Sequence, residues 1–381
     1  MSTARELLER TGSHPVVSLY VDLDPSQFAT APARASQVRS LLDEAQRDGR
    51  LDRDRLSHKD RTALTADLER LKQYLGSDEP PVSGARALAV FCSGQDDVFE
   101  AVALAQPTPP RAVIATTPFV EPLVAGPAEG RTAVVLISRR SGRILVGGLR
   151  DLQEAEDVSD QVHGQHARGG LSQLNYERSI EADVQHHLRN VAEEIYRTWQ
   201  QEPFSRLVVG GTAQDVDEFA SELHNDLRPS LVADRLDLDA ETASVADVSK
   251  ALAPLLARVR AAAKESALAE LENRLGAGGR AARGVQDTLE ALNERRVETL
   301  LLAHNFATPG VRCPSCGLLY AEGTASCPAD GAKTTVVDDL REAAVEAAVM
   351  QDAGVMILGE GSDPAPPALH RGGGIAALLR F

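Results

Sequence analysis

Apolar residues change their spacing repeatedly between Thr132 and Leu227, and this restricts the fold more than any other feature. Thr132 to Ser138 and Arg143 to Leu149 are β-rich runs separated by a short turn at Arg140, Ser141 and Gly142, which reads as a hairpin. Ile180, Val184, Leu188, Val191, Ile195 and Trp199 then recur at intervals of three and four, the stripe of an amphipathic helix. Arg206 to Gly210 returns to a strand and Val216 to Leu227 to a helix. A strand, a helix and a further strand in that order imply a sheet with some parallel pairing, and so an α/β fold with mixed sheets.

The same alternation continues on both sides. His14 to Asp24 alternates apolar and polar residues as a half-buried strand does. Val38, Leu41, Leu42 and Ala45 share one helical face, and Leu64, Leu68, Leu71 and Leu75 another. Ala85 to Cys92 reads as a buried strand. Val245 to Leu275 reads as one long helix, Val285 to Asn293 as a helix and Val297 to Ala303 as a strand. Asp339 to Met350 and Gly354 to Gly359 close the pattern as helix and strand. With 381 residues the chain exceeds what one core usually serves, about 250 to 300 residues. The breaks divide it into an N-terminal α/β domain (1–126), a central domain (127–275) and a C-terminal α/β domain (276–381).

The net charge of −16 excludes a general nucleic-acid binder, because phosphate neutralisation requires clustered Lys and Arg. Any contact with RNA must be local. Gln161 to Tyr176 is suited to it, holding His163, His166 and Arg168 and no acidic residue. No apolar run approaches the ~18 residues of a membrane span, and Arg5, Glu6, Glu9 and Arg10 stand where a signal peptide is apolar, so a cytoplasmic protein without membrane contact is expected. Four cysteines, three of them at Cys313, Cys316 and Cys327, favour a metal site over a disulfide framework. Cys92 reads as a core thiol.

His163 to Arg178 reads HGQHARGGLSQLNYER, between the hairpin domain and the long helix. Gly169 and Gly170 let the backbone approach a ligand closely and Arg168 offers a phosphate contact, although a Gly-Gly pair is also ordinary turn punctuation. Ser172 lacks the Gly-x-Ser-x-Gly elbow of a hydrolase nucleophile, and His163, His166, His186 and His187 lack protease spacing. His186 and His187 read as surface or half-buried helix residues.

The order His, Ala, Arg, Gly, Gly, followed by Ser172, Leu174, Tyr176 and Arg178, resembles the Gly-Gly-Gln loop of archaeal and eukaryotic class I peptide release factors. FCSG at Phe91 to Gly94, GVQDTLEALNERRVETLLLAHN at Gly284 to Asn305 and GGGIAALLRF at Gly372 to Phe381 are similar to segments of the first and third domains of that family. Leu171 stands where the family has its glutamine, and the Gly-Gly-x-Ser-Gln order resembles the variant loop of bacterial relatives and of quality-control peptidyl-tRNA hydrolases. The resemblance implies a three-domain architecture and a ribosome-bound hydrolase of peptidyl-tRNA that rescues stalled ribosomes. Its catalytic residues would be Gly169, Gly170 and Gln173, with His166, Arg168, Ser172 and Arg178 against tRNA and rRNA. It implies the ribosome, rRNA and peptidyl-tRNA as partners, with a translational GTPase as a further candidate. A non-catalytic hibernation factor of the same fold is the alternative. The termination factors read codons through an Asn-Ile-Lys-Ser motif. The corresponding stretch, Arg47 to Arg61, lacks it and carries Asp48, Asp52, Asp54 and Asp60, so independence of stop codons is expected.

CPSCGLLYAEGTASCPADG at Cys313 to Gly331 contains one Cys-x-x-Cys knuckle and a second whose last position is Asp330. Paired Pro and Gly residues in both halves suggest a rubredoxin-like zinc ribbon, inserted at 313–331, with Cys313, Cys316, Cys327 and Asp330 as ligands of a structural zinc. A degenerate ribbon with free thiols is the alternative reading.

Overall fold

The computed structural model describes residues 2–12, 14–23, 31–47, 56–77, 85–104, 108–124, 131–148, 152–159, 171–276, 278–337, 339–359 and 366–381; at 2, 31–34, 45–47, 159 and 171–180 it describes the backbone alone. The chain clusters into two compact units, 1–128 with 262–381, and 129–261. No helix among the described residues is long and apolar enough to cross a membrane.

The first unit begins with α1 (Ser2–Arg10), β1 (Val16–Asp22), α2 (Ala31–Arg47), α3 (His58–Gly76), β2 (Ala87–Ser93), β3 (Val98–Leu104), β4 (Arg111–Ala115) and α4 (Glu121–Val124). The strands pair antiparallel in the order β3-β2-β1-β4. Val17, Leu19, Leu88 and Val90 face Val38, Leu42, Leu64 and Leu71 of the two long helices. The opposite face, with Tyr20, Ala89 and Phe91, packs on Leu7 and Phe119. β1 is therefore buried on both faces, not half-buried as its alternation suggested. Its inward polar groups are satisfied: Ser18 Oγ accepts from the Phe119 amide at 2.9 Å and Tyr20 Oη donates to the Phe119 carbonyl at 2.6 Å.

The second unit contains β5 (Thr132–Ile137), β6 (Ser141–Gly147), β7 (Gln153–Ser159), α5 (Leu171–Gln201), β8 (Arg206–Gly210), α6 (Ala213–Glu222) and the start of α7 (Val245–Gly276). The sheet order is β7-β6-β5-β8, and β5 runs parallel to β8 from Thr132↔Arg206 to Leu136↔Gly210, as the strand-helix-strand order requires. Val184, Leu188, Val191, Ile195 and Phe219 cover one face. Val248, Leu252 and Leu255 of α7 cover the other. Arg143 ties the hairpin to this second layer, with Nε on Glu154 at 2.6 Å and Nη1 on the carbonyls of Ala240 and Ala243. α6 stops at Glu222, short of the expected Leu227: Leu223 is already extended, at φ −62° and ψ 138°, and a 3-10 turn follows at Arg228–Ser230. Leu223 and Leu227 are buried nonetheless.

The remainder of the first unit comprises β9 (Ala281–Arg283), α8 (Val285–Asn293), β10 (Val297–Ala303), β11 (Gly310–Arg312), β12 (Leu319–Ala321), β13 (Thr335–Val337), α9 (Leu340–Val349), β14 (Gly354–Leu358), α10 (Pro367–His370) and β15 (Ile375–Leu379). The main sheet runs β14-β10-β15-β9, with β10 and β14 parallel, and β12-β11-β13 form a small antiparallel sheet. Ala4, Val120 and Val124 enter this C-terminal core. A polar seam joins the N- and C-terminal parts. Arg341 Nε and Nη2 grip Glu121 at 2.6 and 2.7 Å, and both side chains are largely buried. Glu346 accepts from Thr117 Oγ1 at 2.7 Å and from Arg312 Nη2 at 2.5 Å.

Candidate functional sites

The glycine loop connects β7, at the sheet edge, to α5. His166, Arg168, Gly169 and Gly170 lie outside the described residues. Helical backbone begins at Leu171, so Ser172 and Gln173 belong to the first turn of α5 and Arg178 lies about two turns further on. The helix is anchored from Val184 onward by the stripe read in the sequence, which fixes its axis against the sheet. Within that stripe His187 is fully buried, not at the surface, while its neighbour His186 is exposed.

The cysteine-rich segment is two matching knuckles. The amide of Gly317 donates to Cys313 O and that of Gly331 to Cys327 O, each at 2.9 Å, and both glycines have φ of 75°. That left-handed backbone explains why each knuckle closes on glycine. The fourth position also behaves as a ligand position: Cys316 accepts a hydrogen bond from the amide two residues on, at Leu318, and Asp330 Oδ1 accepts one from the equivalent amide, Ala332, at 2.9 Å. The carboxylate takes over the hydrogen bond a thiolate would make there.

One donor atom each from Cys313, Cys316, Cys327 and Asp330 lies within 4.8 Å of every other. Cys316 Sγ and Cys327 Sγ are 3.6 Å apart, and Cys313 Sγ and Asp330 Oδ2 3.4 Å. Tetrahedral zinc with bonds of about 2.0 to 2.3 Å requires donors roughly 3.3 to 3.8 Å apart, and both of these distances fit such an ion. The Leu318 amide lowers the Cys316 thiol pKa, but burial and the adjoining Cys313, Cys327 and Asp330 outweigh it and push the pKa up to about 12. The Ala332 amide, with Cys327, holds Asp330 well below the carboxylate range. Crowded acids of this kind suit a shared divalent cation. Among the described residues this is the one group of at least three His, Cys, Asp or Glu side chains that could hold a metal. Four protein donors leave no open position, so the site is suited to holding structure and not to catalysis. Asn293 braces it, donating to Leu319 O at 2.8 Å and accepting from Leu319 N at 3.0 Å, a contact no spacing rule reveals.

Parts of the chain are similar to known proteins. Residues 118–255 match the bacterial archaeo-eukaryotic release factor family 10. Peptide chain release factor subunit 1 of Methanocaldococcus jannaschii is 25% identical over 275 residues, 65% of each chain. The same factor of Thermococcus sibiricus is 24% identical over 279 residues, 66% of each chain. The matched stretch thus spans just under two thirds of these relatives. The crystal structure of an archaeal translation termination factor aligns over 100% of this chain and 96% of its own, with 19% identity and a TM-score of 0.25. Archaeoglobus fulgidus Pelota aligns over 77% and 79%, with 17% identity and a TM-score of 0.31. The chain is thus similar, over part of its length, to archaeal peptide chain release factors. Its segment 118–255 is the part that matches a family of bacterial archaeo-eukaryotic release factors.

Proposed function

We propose that the chain acts on the ribosome as a release or rescue factor that hydrolyses peptidyl-tRNA without requiring a stop codon. The observation that carries this is the family match over 118–255, which contains the whole glycine loop and the helix that presents it. Gly169 and Gly170 would allow close approach to the tRNA 3′ end, and Gln173 would position the attacking water. A neutral amide is no general base at pH 7. It orients water and donates a hydrogen bond where negative charge develops on the ester carbonyl, and catalysis then rests on placement. His166, Arg168, Ser172 and Arg178 are assigned to RNA contact, and the three-domain division at 126/127 and 275/276 accompanies the reading. Zinc, held by Cys313, Cys316, Cys327 and Asp330, would brace the C-terminal domain. A translational GTPase is a candidate partner.

Leu171, in place of the family's glutamine, favours a second reading, a factor that binds idle ribosomes without hydrolysis. Purified ribosomes stalled with labelled peptidyl-tRNA separate the two. Peptide release at sense, empty and stop codons alike is expected. Tight binding without release selects the second reading, and release tenfold faster at stop codons contradicts codon independence.

A further inference from the structure

The β5–β6 hairpin ends its ladder at Ile137↔Gly142, and Arg139 and Arg140 stand at the centre of the four-residue connection, neither at positive φ. Ser138 holds that connection. Its Oγ accepts from the amides of Arg140 at 3.3 Å and Ser141 at 3.0 Å, and its own amide donates to Ser141 O at 2.8 Å. A side-chain staple thus holds two exposed arginines at a tight turn, in a chain of net charge −16.

The tip is also fixed against the helix that follows the glycine loop. A Cβ on Gly142 would lie 2.3 Å from Val191 Cγ2, so glycine permits close packing of β6 on α5. Arg139 Nη2 meets Glu181 Oε2 of α5 at 3.1 Å, with both side chains about half exposed. Glu181 lies ten residues into α5, roughly 15 Å along its axis from Leu171. The guanidinium of Arg140 has no side-chain partner among the described residues.

We infer that Arg139 and Arg140 form a phosphate clamp for RNA bound beside the start of α5, with Glu181 competing for Arg139 until a phosphate displaces it. The inference rests on the ribosomal reading above. Guanidinium forks match phosphate oxygens, and a rigid turn lowers the ordering cost of each contact. The phosphates could belong to the acceptor arm of the tRNA or to rRNA.

The test measures binding of the full chain to ribosomes carrying peptidyl-tRNA and to vacant ribosomes, across salt concentration. Arg139→Ala/Arg140→Ala should weaken binding about tenfold and make the log–log salt slope shallower by about 1.4 to 1.8, two phosphate contacts. The doubly Lys-substituted chain should recover much of the loss. Glu181→Gln should bind roughly two- to fivefold tighter by releasing Arg139, whereas a purely structural ion pair predicts weaker binding. A loss confined to tRNA-bearing ribosomes assigns the acceptor arm, and an equal loss on vacant ribosomes assigns rRNA. A double Ala variant that melts and binds as wild type does, on ribosomes that the wild type binds, overturns the clamp alone. A wild-type chain that binds neither ribosome overturns the functional reading and the clamp with it.

Discussion

In the proposed zinc site Asp330 takes the place of a fourth thiolate, and it accepts from the Ala332 amide as Cys316 does from Leu318. We expect about one zinc per chain by elemental analysis of protein purified without chelator. Asp330→Cys should retain the metal and Cys316→Ser should lose it; metal-free wild-type protein would contradict the assignment. Cys92 is of a different kind. Burial, then Asp67, pushes its thiol up to about 12, so it should stay unreactive toward thiol reagents until the protein unfolds. At the loop, Gln173→Ala should abolish peptide release on stalled ribosomes while binding persists. Full release by that variant would move the catalytic role elsewhere.

At the scale of elements, the spacing of apolar residues locates α8, β8 and β10 nearly to the residue and an Ala- and Leu-rich, glycine-free run locates α7, whereas the stripe of α5 marks only Ile180 to Trp199 of a helix that begins at Leu171. It misjudges β1, since alternation with Ser18 and Tyr20 looks like solvent exposure when both polar groups are bonded to Phe119 inside the fold. The clustering of Cys313, Cys316, Cys327 and Asp330 is legible in the spacing of the two knuckles. The Asn293 brace and the carboxylate network at α3 are not, because partners come from distant positions, and the stapled Arg-Arg turn is not, because Arg-Arg is no turn signal. That network makes Asp60 informative. Hydrogen bonds from Ser57 first, then Gln95 and His14, lower its pKa to about 2, against an unfolded value of about 3.9. The stabilisation is present above about pH 4 and lost as pH falls toward 2. Asp60→Asn should therefore flatten the acid decline of the urea midpoint over that range. After β8, Gly211 has φ of 144° and a Cβ there would lie 2.3 Å from Ile137 O. Gly211→Ala should cost more than the ~1–2 kcal/mol of the backbone penalty alone, as read by urea denaturation.

On the scale of the molecule, the seam between the N- and C-terminal parts combines the apolar contacts of Ala4, Val120 and Val124 with the Arg341–Glu121 pair. Glu121→Gln leaves the buried Arg341 guanidinium facing a neutral amide. Removing one member of such a pair typically costs about 3 to 5 kcal/mol, so a drop in the melting temperature of the first unit should be measurable. Arg312 gives this seam a second meaning. It directly precedes the ligand Cys313, and its guanidinium shares Glu346 with Thr117 from the N-terminal part. A ligand that binds only the folded ribbon stabilises whatever folds cooperatively with it. If the cluster holds zinc as proposed, ambient metal becomes a variable of how firmly the two ends of the chain hold together, and starvation for it would be felt some two hundred residues away in sequence, at Thr117.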